Sequence, residues 1–105
     1  MTMDNETWII EAGDAVIQRK GAANLAPLER LIYCVWVADY GMRNAGDLTA
    51  ASQVHESFRE EALLLSQQLQ LSVTHSAFAL APAELERQYF DRFNAICDEL
   101  RGACE

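Results

Sequence analysis

The sequence contains few of the residues from which common catalytic and metal sites are built. It has two histidines and three cysteines among 105 residues, and no Cys-x-x-Cys pair. An odd number of widely spaced cysteines is a poor disulfide framework, and zinc or dithiol chemistry usually uses closer pairs. We therefore expect reduced thiols in a reducing cytoplasm, with Cys34 and Cys97 buried as small apolar residues and Cys104 exposed.

Positive charge and long apolar runs are also scarce. Eight Lys and Arg residues face 16 Asp and Glu residues, which gives a net charge of −8. Binding to nucleic acid and binding to an anionic membrane surface both require a basic face on the protein. The excess of acidic residues therefore excludes both as direct partners. The longest apolar run, Leu31–Ala38, is too short to cross a bilayer, and the acidic N-terminus is unlike a signal peptide. The excess of acidic over basic residues predicts a cytoplasmic protein and permits a basic protein partner.

Enzyme signatures are missing as well. The two glycines Gly41 and Gly46 follow a helix-like run rather than a strand, so they do not form a phosphate-binding loop. Residues 55–59 (HESFR) begin like the His-Glu-x-x-His zinc sequence but have Arg59 where the second His belongs. No local feature activates a Cys or His nucleophile. We therefore predict a non-enzymatic protein with no cofactor and no metal.

The apolar residues of the sequence recur every three or four positions, which is the spacing of an α-helix. This spacing predicts an all-α fold, a single domain over residues 1–105 arranged as a compact bundle of about four main helices. The second helix is apolar on all sides and should be central and buried. Residues 72–81 form a break in which a short helical turn is possible. The four predicted helices are Glu6–Lys20 with Gly21 after it, one from Pro27 to about Arg43, one from Asp47 or Thr49 to about Leu71 with Val54 on its apolar stripe, and Pro82–Gly102.

The corner after the second helix, residues 37–48 (VADYGMRNAGDL), has two interpretations. Arg43 suits the negative end of a helix, Asn44 and Gly46 tolerate the left-handed conformation that ends helices, and Asp47 can cap the next helix. A tight helix–helix corner thus accounts for the polar residues other than Asp39. That acid must lie at the rim or be paired, for example with Arg43 four residues later.

The alternative is a binding role for the same corner. A pocket lined by Trp36, Asp39, Tyr40 and Arg43 with a perturbed carboxylate would favour a small-molecule site.

Two acidic faces are candidates for a partner surface. Glu84, Asp91 and Asp98 recur every seven residues, with Glu105 next in the series, so they lie roughly 10.5 Å apart along one side of a helix. Such a row could imitate a phosphate backbone. It could equally be an ordinary solvated face in which Arg87 pairs with Asp91 and Arg101 with Asp98. Glu56 and Glu60 form the second candidate face.

The stretch from Leu28 to about Leu69 resembles a family of acidic DNA-mimic proteins. The hallmark of that family is a helix rich in Tyr and Trp that runs into an acid, followed by an Asn-Asn-Gly-Gly-Phe-like corner and a further helix. Arg43 and Ala45 stand where the family has Asn and Gly, Asp47 replaces the aromatic residue, and the chain is shorter than typical members. The matching residues are Tyr33, Trp36, Asp39, Asn44 and Gly46.

This resemblance implies an all-α acidic protein, often dimeric, whose carboxylates occupy the DNA site of a basic partner such as a transcriptional regulator. It implies no catalytic residues. The apolar alternative, a small accessory or immunity-type subunit or a homodimer, stays open at this point.

Overall fold

Helices account for all the regular secondary structure in residues 3–20 and 25–104, the part of the chain that a computed structural model describes. The all-α class is therefore confirmed. The helices run in the order α1 Asn5–Lys20, α2 Pro27–Ala45, α3 Thr49–Val54, α4 Phe58–Gln68, α5 Ser72–Phe78 and α6 Pro82–Ala103.

The number of helices differs from the prediction, because these residues form six helices rather than about four. The expected helix from Asp47 or Thr49 to Leu71 is interrupted at His55, whose φ of −149° and ψ of 100° are extended. Ser57 precedes α4 without a side-chain capping bond, and the two acids in the first turn of α4, Glu60 and Glu61, favour the new helix start. The expected break at residues 72–81 contains α5.

Helix α2 lies at the centre of the fold, as predicted, because α1, α3, α4 and α6 all pack against it. Its apolar residues are buried on several sides. The break after α3 also corrects the predicted apolar stripe, since Val54 is exposed. The largest fully buried apolar side chains outside α2 are Phe58, Phe78, Ile9, Leu85, Ile96 and Leu100.

The start of α1 is capped by Asp4, whose Oδ1 accepts a hydrogen bond from the Thr7 backbone N–H at 2.7 Å. Asn5 is the first helical residue, and its side-chain amide donates to Asn94 and to Asp98 on α6. The amide therefore ties the two helices together. Gly21, expected after the end of this helix, lies outside the described residues.

Two glycines permit close contacts with α2. A Cβ on Gly13 of α1 would lie 2.4 Å from Cγ of Trp36, and a Cβ on Gly41 would lie 2.8 Å from the backbone N of Ala51. Both distances are far below any normal contact, so these helices pack at a separation that only glycine allows. None of the helices that the structure describes is long and apolar enough to cross a membrane.

We expect Gly41→Ala to destabilise the protein by about 2 kcal/mol, because the new methyl group meets the α3 backbone, which cannot move aside. Gly102→Ala is the matched control, since its Cβ would meet nothing within 4 Å. That change should be neutral or stabilising by up to about 1 kcal/mol, from helix propensity alone. Urea unfolding measures both, and equal stability of the two variants would contradict the packing.

Candidate functional site

Asp39 lies at the helical corner with 3% of its surface exposed. Arg43 Nε donates to both carboxylate oxygens at 3.0 Å, which is the expected pairing four residues apart. Tyr89 of α6 donates its hydroxyl to Oδ1 at 2.7 Å. The sequence did not indicate this bond, because the residues are fifty positions apart. The carboxylate is thus satisfied inside the protein.

Arg43 makes further contacts with α6 and extends the same network to α1. Its guanidinium carbon lies 4.8 Å from the ring centre of Phe93 and 5.2 Å from that of Phe90, both on α6. Its Nη1 lies 3.6 Å from a carboxylate oxygen of Glu6 on α1. The side chain thus contacts three helices at once.

Burial governs the ionisation of this network. Desolvation raises the pKa of Asp39 above its ordinary value, although the bonds from Tyr89 and the charge of Arg43 act in the opposite direction. Desolvation and the neighbouring Asp39 carboxylate raise the pKa of Tyr89, so its hydroxyl stays a proton donor.

The remaining corner residues act as expected for a helix–helix turn. Gly46 has a φ of 76°, and its N–H donates to Met42 O at 3.0 Å. Asp47 Oδ1 accepts from the N–H of Thr49 at 3.1 Å and of Ala50 at 3.3 Å. Asn44 stays helical and donates to Tyr40 O. These bonds support the structural interpretation of the corner.

Trp36 and Tyr40 occupy the outer side of α2, and their rings are stacked with centres 5.9 Å apart. Tyr33 stacks on the other side of Trp36, also at 5.9 Å. Trp36 is half-buried against Gly13. These aromatic side chains therefore form a row along α2, next to α1.

A second polar cluster joins α2 to the start of α4. The Cys34 thiol donates to Oε1 of Glu61 at 3.2 Å, and Nε2 of His55 lies 2.9 Å from the same oxygen. Arg30 Nε donates to the other oxygen, Oε2, at 3.0 Å. The ligand atoms of Cys34, His55 and Glu61 all lie within 4.8 Å of one another. This Cys34–His55–Glu61 cluster could hold a metal ion, a possibility that sequence spacing did not indicate.

The protonation states in the cluster follow from burial and pairing. Burial and the hydrogen bond with Glu61 raise the pKa of the Cys34 thiol well above its usual range. Burial also acts to raise the pKa of Glu61, but hydrogen bonds from Arg30, His55 and Cys34 outweigh it and the pKa is lowered. The thiol is therefore protonated and a poor nucleophile, which argues against cysteine catalysis here.

Several carboxylates accept hydrogen bonds from backbone N–H groups at the starts of helices, and these bonds engage them within the protein. Glu86 of α6 accepts from the Leu48 N–H at 2.8 Å, beside the start of α3. Glu99 of α6 accepts from the N–H of Val73 at 2.9 Å and of Thr74 at 2.8 Å, at the start of α5. Acidic groups at helix N-termini are favoured by the unpaired N–H groups and the helix dipole.

Glu56 and Glu60 are different, because neither carboxylate has a hydrogen bond or ion pair within the described part of the chain. Both are exposed and line one open groove of about 190 Å³ together with Glu86. Arg59 also lines this groove, and its buried Nε has no hydrogen-bond partner among the described residues. We call this surface the acidic groove; its other lining residues are Leu48, Thr49, Ser52, Phe58 and Pro82.

The predicted acidic row on α6 consists of Glu84, Asp91 and Asp98, and two of these carboxylates already have polar contacts within the protein. Glu84 pairs with Arg87 and accepts from Gln88, so Arg87 does not pair with Asp91 as expected. Asp98 accepts from Asn5. Asp91 is exposed and has no polar partner among the described residues.

Arg101 does not pair with Asp98 in the way the sequence predicts. Its Nη1 donates to Met3 O at 2.7 Å and to Asn5 Oδ1 at 2.8 Å, and its guanidinium lies over Trp8. Glu105, the last member of the predicted series, lies outside the described residues.

No protein-family model, curated protein or solved structure matches this chain.

Replacing Tyr89 with Phe should destabilise the protein by about 2 kcal/mol, because a buried carboxylate loses a hydrogen-bond donor without any change in packing. The matched control is Tyr40→Phe, since Tyr40 is 44% exposed. That variant should stay within about 0.5 kcal/mol of wild type. Chemical denaturation of both variants at neutral pH measures their free energies of unfolding. Equal losses of stability in the two variants would show that the Tyr89–Asp39 hydrogen bond does not stabilise the fold.

A pH prediction follows from the raised pKa of Asp39. Because its folded pKa lies above the reference value of 3.8, the folded state binds more protons than the unfolded state between the two values. The contribution of Asp39 to stability is therefore fully present below the unfolded pKa and is lost as the pH rises through the folded pKa.

We expect the stability of wild type relative to Asp39→Asn to fall as the pH rises from acid to neutral. Denaturant unfolding of both proteins across this range measures the difference, in which the other carboxylates largely cancel. A difference that is constant or rises with pH would contradict the raised pKa.

Proposed function

We propose that this protein is a non-enzymatic acidic helical protein that binds a basic protein partner, in the way a DNA mimic occupies the site of a basic DNA-binding regulator. The observation that carries the proposal is the acidic groove. Glu56 and Glu60 are exposed there and lack any intramolecular partner in the described residues, whereas most other carboxylates are bonded within the fold. Carboxylates without internal partners are available to lysine and arginine side chains.

The shape of the acidic groove supports the binding of a peptide segment of the partner. It is open rather than enclosed, and both polar and apolar residues line it, including Phe58 and Pro82. Glu86 is held by the Leu48 N–H and adds negative charge at the same edge.

The α6 row of Glu84, Asp91 and Asp98 is a second contact surface in this proposal, and Asp91 is its strongest member. Glu84 and Asp98 already accept hydrogen bonds within the protein, so a partner must compete with them. The charge of the whole chain, −8, steers a basic partner towards either surface. Long-range attraction of this kind weakens as salt is added.

A second candidate function is assembly through apolar contacts, as a homodimer or as an accessory or immunity-type subunit. Ile10 and Ile17 lie on the side of α1 next to Gly13, and they are 48% and 38% exposed. Tyr40, stacked on Trp36, is 44% exposed on α2. Exposed apolar residues favour association where they form one patch. Sedimentation of the purified chain over a range of concentrations measures it.

The acidic groove predicts a specific pattern in a binding experiment. The tagged protein is used to capture partners from nuclease-treated lysate of its source at low and high salt. A recovered DNA-binding protein is then purified and titrated against labelled DNA in the presence of this chain. We expect salt-sensitive capture and displacement of the DNA.

Charge reversal assigns the surface. Glu56→Lys with Glu60→Lys should weaken binding about tenfold or more, because opposite charges become like charges across the interface. The control, Glu11→Lys with Asp14→Lys, makes the same charge change at two exposed residues of α1, outside the acidic groove and the α6 row, and should bind nearly as wild type. A loss in the control alone would move the contact to α1. Salt-resistant capture, or binding unchanged in both variants, would contradict the electrostatic proposal.

A further inference from the structure

We propose that the Cys34–His55–Glu61 cluster is a binding site for a divalent transition metal of the zinc class. Its three side chains offer a sulfur, an imidazole nitrogen and a carboxylate oxygen within 4.8 Å of one another. This site is independent of the acidic groove and of the proposed partner binding.

The spacing of the ligand atoms suits a tetrahedral ion. Around zinc, with bonds of about 2.0 to 2.3 Å, neighbouring ligand atoms lie roughly 3.3 to 3.6 Å apart. Here Sγ of Cys34 lies 3.2 Å and Nε2 of His55 lies 2.9 Å from Oε1 of Glu61. These two sides need to change by only a few tenths of an ångström. The third side, between Sγ of Cys34 and Nε2 of His55, is within 4.8 Å, so an ion draws these two atoms together by up to about 1.2 Å.

The hydrogen bonds in the cluster show where the ion would bind. Both the thiol and the imidazole point at one oxygen of Glu61, so the ion takes the place of the protons that now link them. Binding releases the thiol proton to solvent, and it requires the tautomer of His55 that carries its proton on Nδ1. Each ligand then offers a lone pair to the same point.

The surroundings hold the ligands in place. Arg30 binds Oε2 of Glu61 and leaves Oε1 directed at Cys34 and His55. The His55 ring lies against Tyr33, with ring centres 5.7 Å apart. Outer contacts of this kind orient metal ligands and tune their affinity.

The three ligands of the site differ in their exposure to solvent. Cys34 is completely buried, whereas the side chains of His55 and Glu61 are 23% and 22% exposed. An ion can therefore enter past His55, and with three protein ligands its fourth position faces solvent, as in zinc sites that bind a water or an exogenous ligand. The thiolate selects against Mg²⁺ and Ca²⁺, which prefer oxygen ligands.

Cobalt(II) titration of the purified chain, kept reduced without added thiols, tests the site. We expect one Co²⁺ per chain, with a near-ultraviolet charge-transfer band from a thiolate and visible bands of tetrahedral intensity. One equivalent of Zn²⁺ should remove these bands, whereas Mg²⁺ should not. Absence of a thiolate band in the wild-type protein would overturn the proposal.

Matched variants identify the ligands. Cys34→Ser should abolish the charge-transfer band, and His55→Gln should weaken Co²⁺ binding by roughly tenfold or more. The controls Cys104→Ser and His75→Gln change the same residue types outside the cluster and should bind as wild type. Circular dichroism establishes that each variant is folded, and His55→Gln decides the question if Cys34→Ser is not. A band that depends on Cys104 but not on Cys34 would place the metal on a surface thiol and refute the site.

Discussion

The burial of the Asp39 carboxylate is the constraint on which the arrangement of the helices depends. A buried charge is strongly unfavourable unless it is paired and hydrogen-bonded. Arg43 supplies the pair from the same helix and Tyr89 supplies a donor from α6. Apolar side chains tolerate small shifts of one helix along another, whereas these bonds do not. The position of α6 against α2 is therefore set by a polar contact inside an otherwise apolar interface.

Part of the acidity of the chain stabilises the fold itself. Several carboxylates accept backbone N–H groups at helix starts, among them Asp4, Asp47, Glu86 and Glu99. Two of these belong to α6 and hold the starts of the short helices α3 and α5, which have too few residues to be stable alone. Net charge by itself thus overstates the surface available to a partner.

The break between α3 and α4 has consequences beyond the helix count. In a continuous helix, residues six positions apart point about 120° away from each other, so His55 and Glu61 could not meet. The extended conformation at His55 turns its ring to Glu61, which also contacts Cys34 and Arg30 of α2. The pair of acids Glu60 and Glu61 was the available signal for this break.

The sequence by itself determined the helical class and the central position of α2. It also offered the Asp39–Arg43 pair as one of two interpretations of Asp39, and Asn44 or Gly46 as the left-handed residue, because each of these follows from periodicity or from residues within four positions. Only the tertiary structure decided that Tyr89 completes the Asp39 network, that Glu86 and Glu99 cap distant helices, and that Cys34 meets His55 and Glu61. These contacts join residues far apart in the chain, and their formation depends on how whole helices pack. Local spacing carries no information about that packing.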